Sequence, residues 1–156
     1  MTNIYFQDEE IQEDDLYFVC YMIERIARRL KQRNSYVVNA IGKAELERAL
    51  SLSNVLHCVN PLEVEDEWIE EHHLVEGEFD ITDVDRELVN EIPYPTQMGK
   101  VYKRLIISTE VPEENYADGI LRVYNNEICE TIDNYNGSAY YEPSYVIARA
   151  YFDGGF

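Results

Sequence analysis

Thirteen carboxylates fall between Glu63 and Glu91 with a single cation, Arg86, among them. Side chains of this type and number can ligate hard cations through oxygen, work in acid–base pairs, or offer an anionic face to a basic partner. Calcium chemistry needs a loop of set spacing. The run Asp80-Ile-Thr-Asp-Val-Asp85 comes nearest, but it lacks the glycine turn and the closing Glu. Acid–base chemistry gains nothing from the count, because thirty-one acids in one chain supply pairs by number alone. What remains is a docking face carried by Glu63, Glu65, Asp66, Glu67, Glu70 and Glu71, or a solvated helix face whose charge keeps the protein in solution.

Softer ligands cluster only at His57, Cys58, His72 and His73. Adjacent histidines on a helix point about 100° apart. Neither a His-Glu-x-x-His nor a paired Cys-x-x-Cys pattern is present, so no metal site and no cofactor are expected. Nucleophilic catalysis would need a glycine-flanked serine elbow or an activated cysteine signature, and phosphate chemistry a glycine-rich loop. None occurs, so no catalytic residue is assigned and a non-enzymatic role is expected. Cys20, Cys58 and Cys129 are odd in number, widely spaced and set among apolar residues, which predicts buried free thiols. Of the thirteen tyrosines, Tyr17 and Tyr21 stand four apart beside an apolar stripe, where they serve as packing or as an aromatic binding edge.

The elements that must position these residues read as helices. From Asp14 or Asp15, each able to cap, apolar residues recur at Leu16, Val19, Cys20, Ile23, Ile26, Ala27 and Leu30. Arg25, Arg28, Arg29, Lys31 and Arg33 crowd the end of this helix, where its dipole favours cations and where the acidic segment offers partners. A short helix from Asn34 or Ser35 is predicted to end at a left-handed Gly42, followed by one from Lys43 to Leu52. Asn60-Pro61-Leu62-Glu63 predicts a capped start for a helix reaching His73. Loop is expected through Pro93 and Pro95, with one helical turn around Asp85 to Asn90. Thr96 then caps a helix facing inward with Met98, Val101, Tyr102, Leu105 and Ile106. A single run from Ala117 to Tyr135 and a short helix opened by Pro143-Ser144 complete the chain. The expected fold is an irregular all-α bundle of five to seven helices, with room for a short strand or hairpin. Residues 1–13 are expected to be a flexible acidic lead or a docked short strand, and residues 14–153 one helical domain.

Four stretches resemble a poorly characterised family of small acidic helical proteins from Gram-positive bacteria. They are Asp15-Leu-Tyr-Phe-Val-Cys-Tyr-Met-Ile-Glu24, Asn54-Val-Leu-His-Cys58, Met98-Gly-Lys-Val-Tyr102 with Leu105-Ile106, and Asn134-Tyr-Asn-Gly-Ser-Ala-Tyr-Tyr141. The resemblance implies genes beside those for ADP-ribosyltransferase-like toxins, and through them an antitoxin or accessory role. It carries over no catalytic residue.

A formal charge of -18 disfavours direct nucleic-acid binding and anionic membrane surfaces, and favours a basic protein partner, a toxin being one form. The first ten residues lack the basic start and apolar run of a signal peptide, and no stretch approaches a membrane span, so a cytoplasmic setting is expected. The expected function is a non-catalytic acidic protein-binding module of antitoxin, immunity or regulatory type. A nucleic-acid mimic that blocks a DNA-binding or defence protein is one alternative. A small enzyme or ligand-binding domain with a carboxylate and histidine pocket near His57 and His72 is another, and a homo-oligomeric scaffold a third.

Overall fold

The first helix forms where the apolar spacing places it and becomes the spine of the fold. Ten of the residues in Glu13–Leu30 (α1) are buried, more than a one-sided stripe supplies, because other helices cover it on several sides. The computed structural model describes residues 1–156. α1 lies between Asn34–Leu56 (α2) and Pro95–Ser108 (α4), with Pro61–Glu71 (α3) against it. Tyr116–Tyr124 (α5) packs on α2, and Ser144–Asp153 (α7) packs on α4. Ile128–Ile132 (α6) and a 3-10 turn at Ala139–Tyr141 link them. The fold is the expected all-α irregular bundle, with seven helices around one core of 34 apolar residues and no sheet.

Local chemistry moves several predicted boundaries. α1 begins at Glu13 after Gln12, whose backbone N–H donates to Asp15 Oδ2 (2.7 Å), so Asp15 caps from the third helical position rather than from the cap. Tyr94 and Gln97 repeat that arrangement at α4 (2.6 Å), where Thr96 had been the expected cap. The two helices expected on either side of Gly42 form α2 with a kink. Gly42 has φ 78° and ψ 168°, a positive-φ extended conformation rather than the left-handed helical one, and residues with a Cβ rarely adopt it. α3 starts as predicted, with Asn60 Oδ1 accepting from the Leu62 N–H (3.0 Å), but it stops at Glu71 because His73 turns to φ 53°.

The run from Ala117 to Tyr135 is two helices, not one. Asn125 Nδ2 donates back to the Leu121 carbonyl (2.7 Å) and Asn126 Oδ1 accepts from the Ile128 N–H (2.9 Å), so asparagine side chains take over hydrogen bonds a continuous helix would make. The segment after α3 is tied to the end of α1: Gly77 N–H donates to the Leu30 carbonyl (2.7 Å) and Phe79 N–H to that of Lys31 (2.9 Å). A Cβ at Gly77 would lie 2.7 Å from the Lys31 carbonyl oxygen, so only glycine permits this approach. At the other end, Thr2 and Glu10 form an isolated antiparallel bridge, Asn3 Nδ2 donates to the Ser51 carbonyl (2.8 Å), and Ile11 is buried in the core. No helix is long and apolar enough to cross a membrane.

Candidate functional site

α3 buries Val64 and Trp68, and helical spacing then divides its acids between two environments. Glu65 turns inward and is only 3% exposed; Arg25 Nε reaches it at 2.6 Å and Arg29 at 3.7 Å. Arg29 also pairs with the exposed Asp66 (2.6 Å), and Arg48 on α2 pairs with Glu71. Part of the basic end of α1 is therefore spent inside the molecule. Glu63, Glu67 and Glu70 are exposed and form no ion pair.

The loop that follows continues this surface. Glu76, Glu78, Asp80, Asp83, Asp85, Glu87 and Glu91 are all exposed and unpaired, so ten of the thirteen acids in this segment have no fixed counter-charge. Arg86 is exposed and pairs with none of them. Three apolar side chains stand out among these acids: Leu62 is 54% exposed, Val75 60% and Leu88 69%. Apolar anchors within a charged surround are the usual make-up of a protein-binding face.

Tyr17 and Tyr21 lie apart from that surface. Their rings stack at 6.2 Å, both are half-buried, and they pack over Gly99 of α4. Tyr21 reaches α3 only indirectly, since Arg25 Nη1 donates to its hydroxyl (3.1 Å) while Arg25 Nε holds Glu65. The structure thus gathers the six predicted acids on one helix, leaves Glu63, Glu67 and Glu70 outward and free, and sets the two tyrosines in the seam between α1 and α4.

The histidines form no joint pocket. His57 packs against Phe18 (5.2 Å between ring centres). His72 stands near Glu45 and Glu71, with ligand atoms within 4.8 Å of one another, but Arg48 donates to both carboxylates and so already supplies the cation. Cys20 and Cys129 are buried, and burial pushes both thiols up to about 12. Cys58 is exposed, contrary to expectation, because it follows the last turn of α2.

A second constellation had no signal in the sequence. Glu24, 1% exposed within α1, accepts from Arg28 Nε (2.7 Å) and the Tyr135 hydroxyl (2.8 Å) on Oε2, and from Asn34 Nδ2 (3.1 Å) on Oε1. Arg28 is itself secured by the Pro93 carbonyl (2.6 Å). Asp133, just after α6, accepts from the Tyr102 hydroxyl (2.5 Å) and from Asn34 Nδ2 (3.3 Å), yet no Lys or Arg pairs with it. Loss of water chiefly, and then the Glu24 carboxylate, push the Asp133 carboxyl up to about 8. Asp133 borders two cavities, of about 270 and 210 Å³, which also share Arg33 and Glu130. The larger is walled by Asp80 and Asp83, so the acidic loop leads directly to this carboxyl. The contributing residues are as far apart as 24 and 135 in the chain, and their spacing carries no motif.

Comparison with known protein families, characterised proteins and solved structures finds no match for the chain.

Proposed function

We propose that this protein is a non-catalytic acidic binding module that captures a basic protein partner, in the manner of an antitoxin, immunity or regulatory protein acting in the cytoplasm. The observation that supports it most is the run of ten exposed, unpaired carboxylates from Glu63 to Glu91, interspersed with the exposed apolar side chains of Leu62, Val75 and Leu88. Internal pairing does not account for this charge, since the neighbouring arginines reach only Glu65, Asp66 and Glu71. Folding gains nothing from such repulsion, whereas a basic partner is steered toward it. The resemblance to toxin-adjacent proteins agrees with this reading, and a partner that ordinarily holds nucleic acid would make the protein a mimic of it.

The test compares affinity capture, with mass spectrometry, by the tagged wild-type chain and by a Glu63→Lys, Glu67→Lys, Glu70→Lys variant, both from the producing organism. The reading expects a basic protein retained by the first and lost by the second; equal recovery of the same proteins by both would refute it. Glu65 is unsuitable for this purpose, because reversing a buried paired charge disturbs the fold.

Self-association has one observation in its favour. A groove of about 230 Å³ between α4 and α7 carries Lys100 and Arg104, opposite in sign to α3 of another copy. Light scattering at low and high salt separates the two readings: a salt-dissociated oligomer favours self-association, a monomer at both the capture of another protein.

A further inference from the structure

We infer that the groove between α4 and α7 is a binding site for a small organic anion, a monocarboxylate with a flat apolar body such as an aromatic ring. The groove, of about 230 Å³, is lined by the apolar side chains of Val101, Leu105 and Ile147 and by the rings of Tyr140 and Tyr141. Leu105 and Ile147 belong to the core, so this apolar surface is held in place by the fold. Tyr140 stands edge-on against the buried Tyr135 (5.5 Å between ring centres), and Tyr141 edge-on against Tyr140 (6.3 Å). Tyr141 is the most exposed large apolar side chain of the molecule. An exposed ring beside an apolar cavity offers a second flat body a place to stack. Drug-sized ligands occupy roughly 300–1,000 Å³, so the smaller space here suits a single ring or a short acyl chain.

The polar groups of the groove specify an anion. Gln97, Lys100 and Arg104 line it and follow one another at three- and four-residue steps, so they share one face of α4. In a chain with thirty-one acids and thirteen bases, neither Lys100 nor Arg104 pairs with a carboxylate. Glu142 is the one acid at the groove, and it lies beyond ion-pair distance of both. The Tyr94 N–H donates to Gln97 Oε1 (2.6 Å), which fixes that amide and leaves its Nε2 donors free. On α7, the N–H groups of Ser144 and Tyr145 find no acceptor, because Pro143 before them offers no capping side chain. Gln97, Lys100, Arg104 and Ser144 are all exposed, so a ligand in the groove is free to meet them. A carboxylate accepts on both oxygens, and a guanidinium matches it with two parallel N–H groups.

Charge and shape together narrow the occupant. The net charge of -18 repels any anion, and a phosphate monoester meets that repulsion with two charges where a carboxylate has one. The α3 surface of another copy would bring carboxylates to Lys100 and Arg104, but apart from Leu62 it has no exposed apolar side chain for the floor at Leu105 and Ile147. An aromatic carboxylate satisfies both halves of the groove at once. The inference concerns a different face from the acidic one and does not rest on the partner reading.

Calorimetry on the full chain with phenylacetate, phenylacetamide, acetate and phenyl phosphate tests it. The expected result is saturable binding of phenylacetate, about tenfold or more tighter than that of the amide or of acetate, with phenyl phosphate weaker than phenylacetate. A Lys100→Gln, Arg104→Gln variant is expected to lose about tenfold or more in affinity for phenylacetate. A Lys31→Gln, Arg86→Gln variant removes the same charge from exposed, unpaired positions elsewhere and is expected to keep the wild-type affinity. Tyr141→Ala is expected to weaken binding about threefold or more. All five positions are exposed, so the variants keep the fold. No saturable binding of phenylacetate, equal affinity for the acid and its amide, or tighter binding of phenyl phosphate would overturn the proposal. So would equal losses in the two double variants, or unchanged affinity in Tyr141→Ala. The Glu63, Glu67, Glu70 reversal leaves this groove intact, so failure of partner capture there and failure of carboxylate binding here are read separately.

Discussion

Carboxylates occupy two contrasting regions of this molecule, the outer surface of α3 with its following loop and the buried junction of α1, α2 and α6. On the surface, ten of them face water with no fixed counter-charge. Each is well solvated, and their mutual repulsion is screened beyond a Debye length of about 8 Å at physiological salt. In the junction, the buried Glu24 and the half-buried Asp133 depend on immediate donors: three for Glu24, one of them the Arg28 guanidinium, and two for Asp133, neither of them charged. The contrast shows that the net charge of this chain describes only one of these populations. The surface set is suited to attraction at a distance, the inner set to tying α1, α2, α4 and the segment after α6 together.

The largest expected effect is in the buried set. Glu24→Gln leaves the Arg28 charge without its counter-charge in a site where the arginine side chain is 16% exposed, and should cost about 3–5 kcal/mol in urea unfolding. Asp133→Asn should act in the opposite direction and depend on pH. The unfolded carboxyl loses its proton near pH 4 and the native one at about 8, so this group's stabilisation is full in acid and is lost as pH rises across that window, by at most about 1.4 kcal/mol per pH unit. The variant should therefore exceed wild type in stability at pH near 8, with the gap closing toward pH 4; a gap independent of pH would remove the distinction between Asp133 and the surface acids.

Two acids on one helix sharpen the comparison further. Glu65→Gln, which strips Arg25 of its buried partner, should destabilise by about 1–3 kcal/mol in chemical denaturation. Glu67→Gln, two residues on and facing water, should stay within about 0.5 kcal/mol of wild type in the same experiment. Equal losses would mean that their burial does not separate them.

How much of this was legible in the sequence follows the range of each interaction. The apolar recurrence from Leu16 to Leu30 and the Asn60-Pro61 start of α3 are local signals, and both elements form there. The break between α5 and α6 depends on two asparagine side chains turning back on the backbone, which apolar spacing does not register. The acidic face was visible as a count, but its division into Glu65 inside and Glu63, Glu67 and Glu70 outside required the position of α1. The Asp133 cluster was invisible, because Glu24 sits unmarked in the α1 stripe and its companions arrive from four other parts of the chain.

The central claim, that the unpaired surface acids recruit a basic partner, is tested most directly by the association rate of the captured protein across a salt series, for wild type and for the Glu63→Lys, Glu67→Lys, Glu70→Lys variant. The account predicts a wild-type rate that falls steeply as salt rises, and a variant rate that is slower at low salt and nearly flat. The same rate and the same salt dependence in both proteins would contradict it.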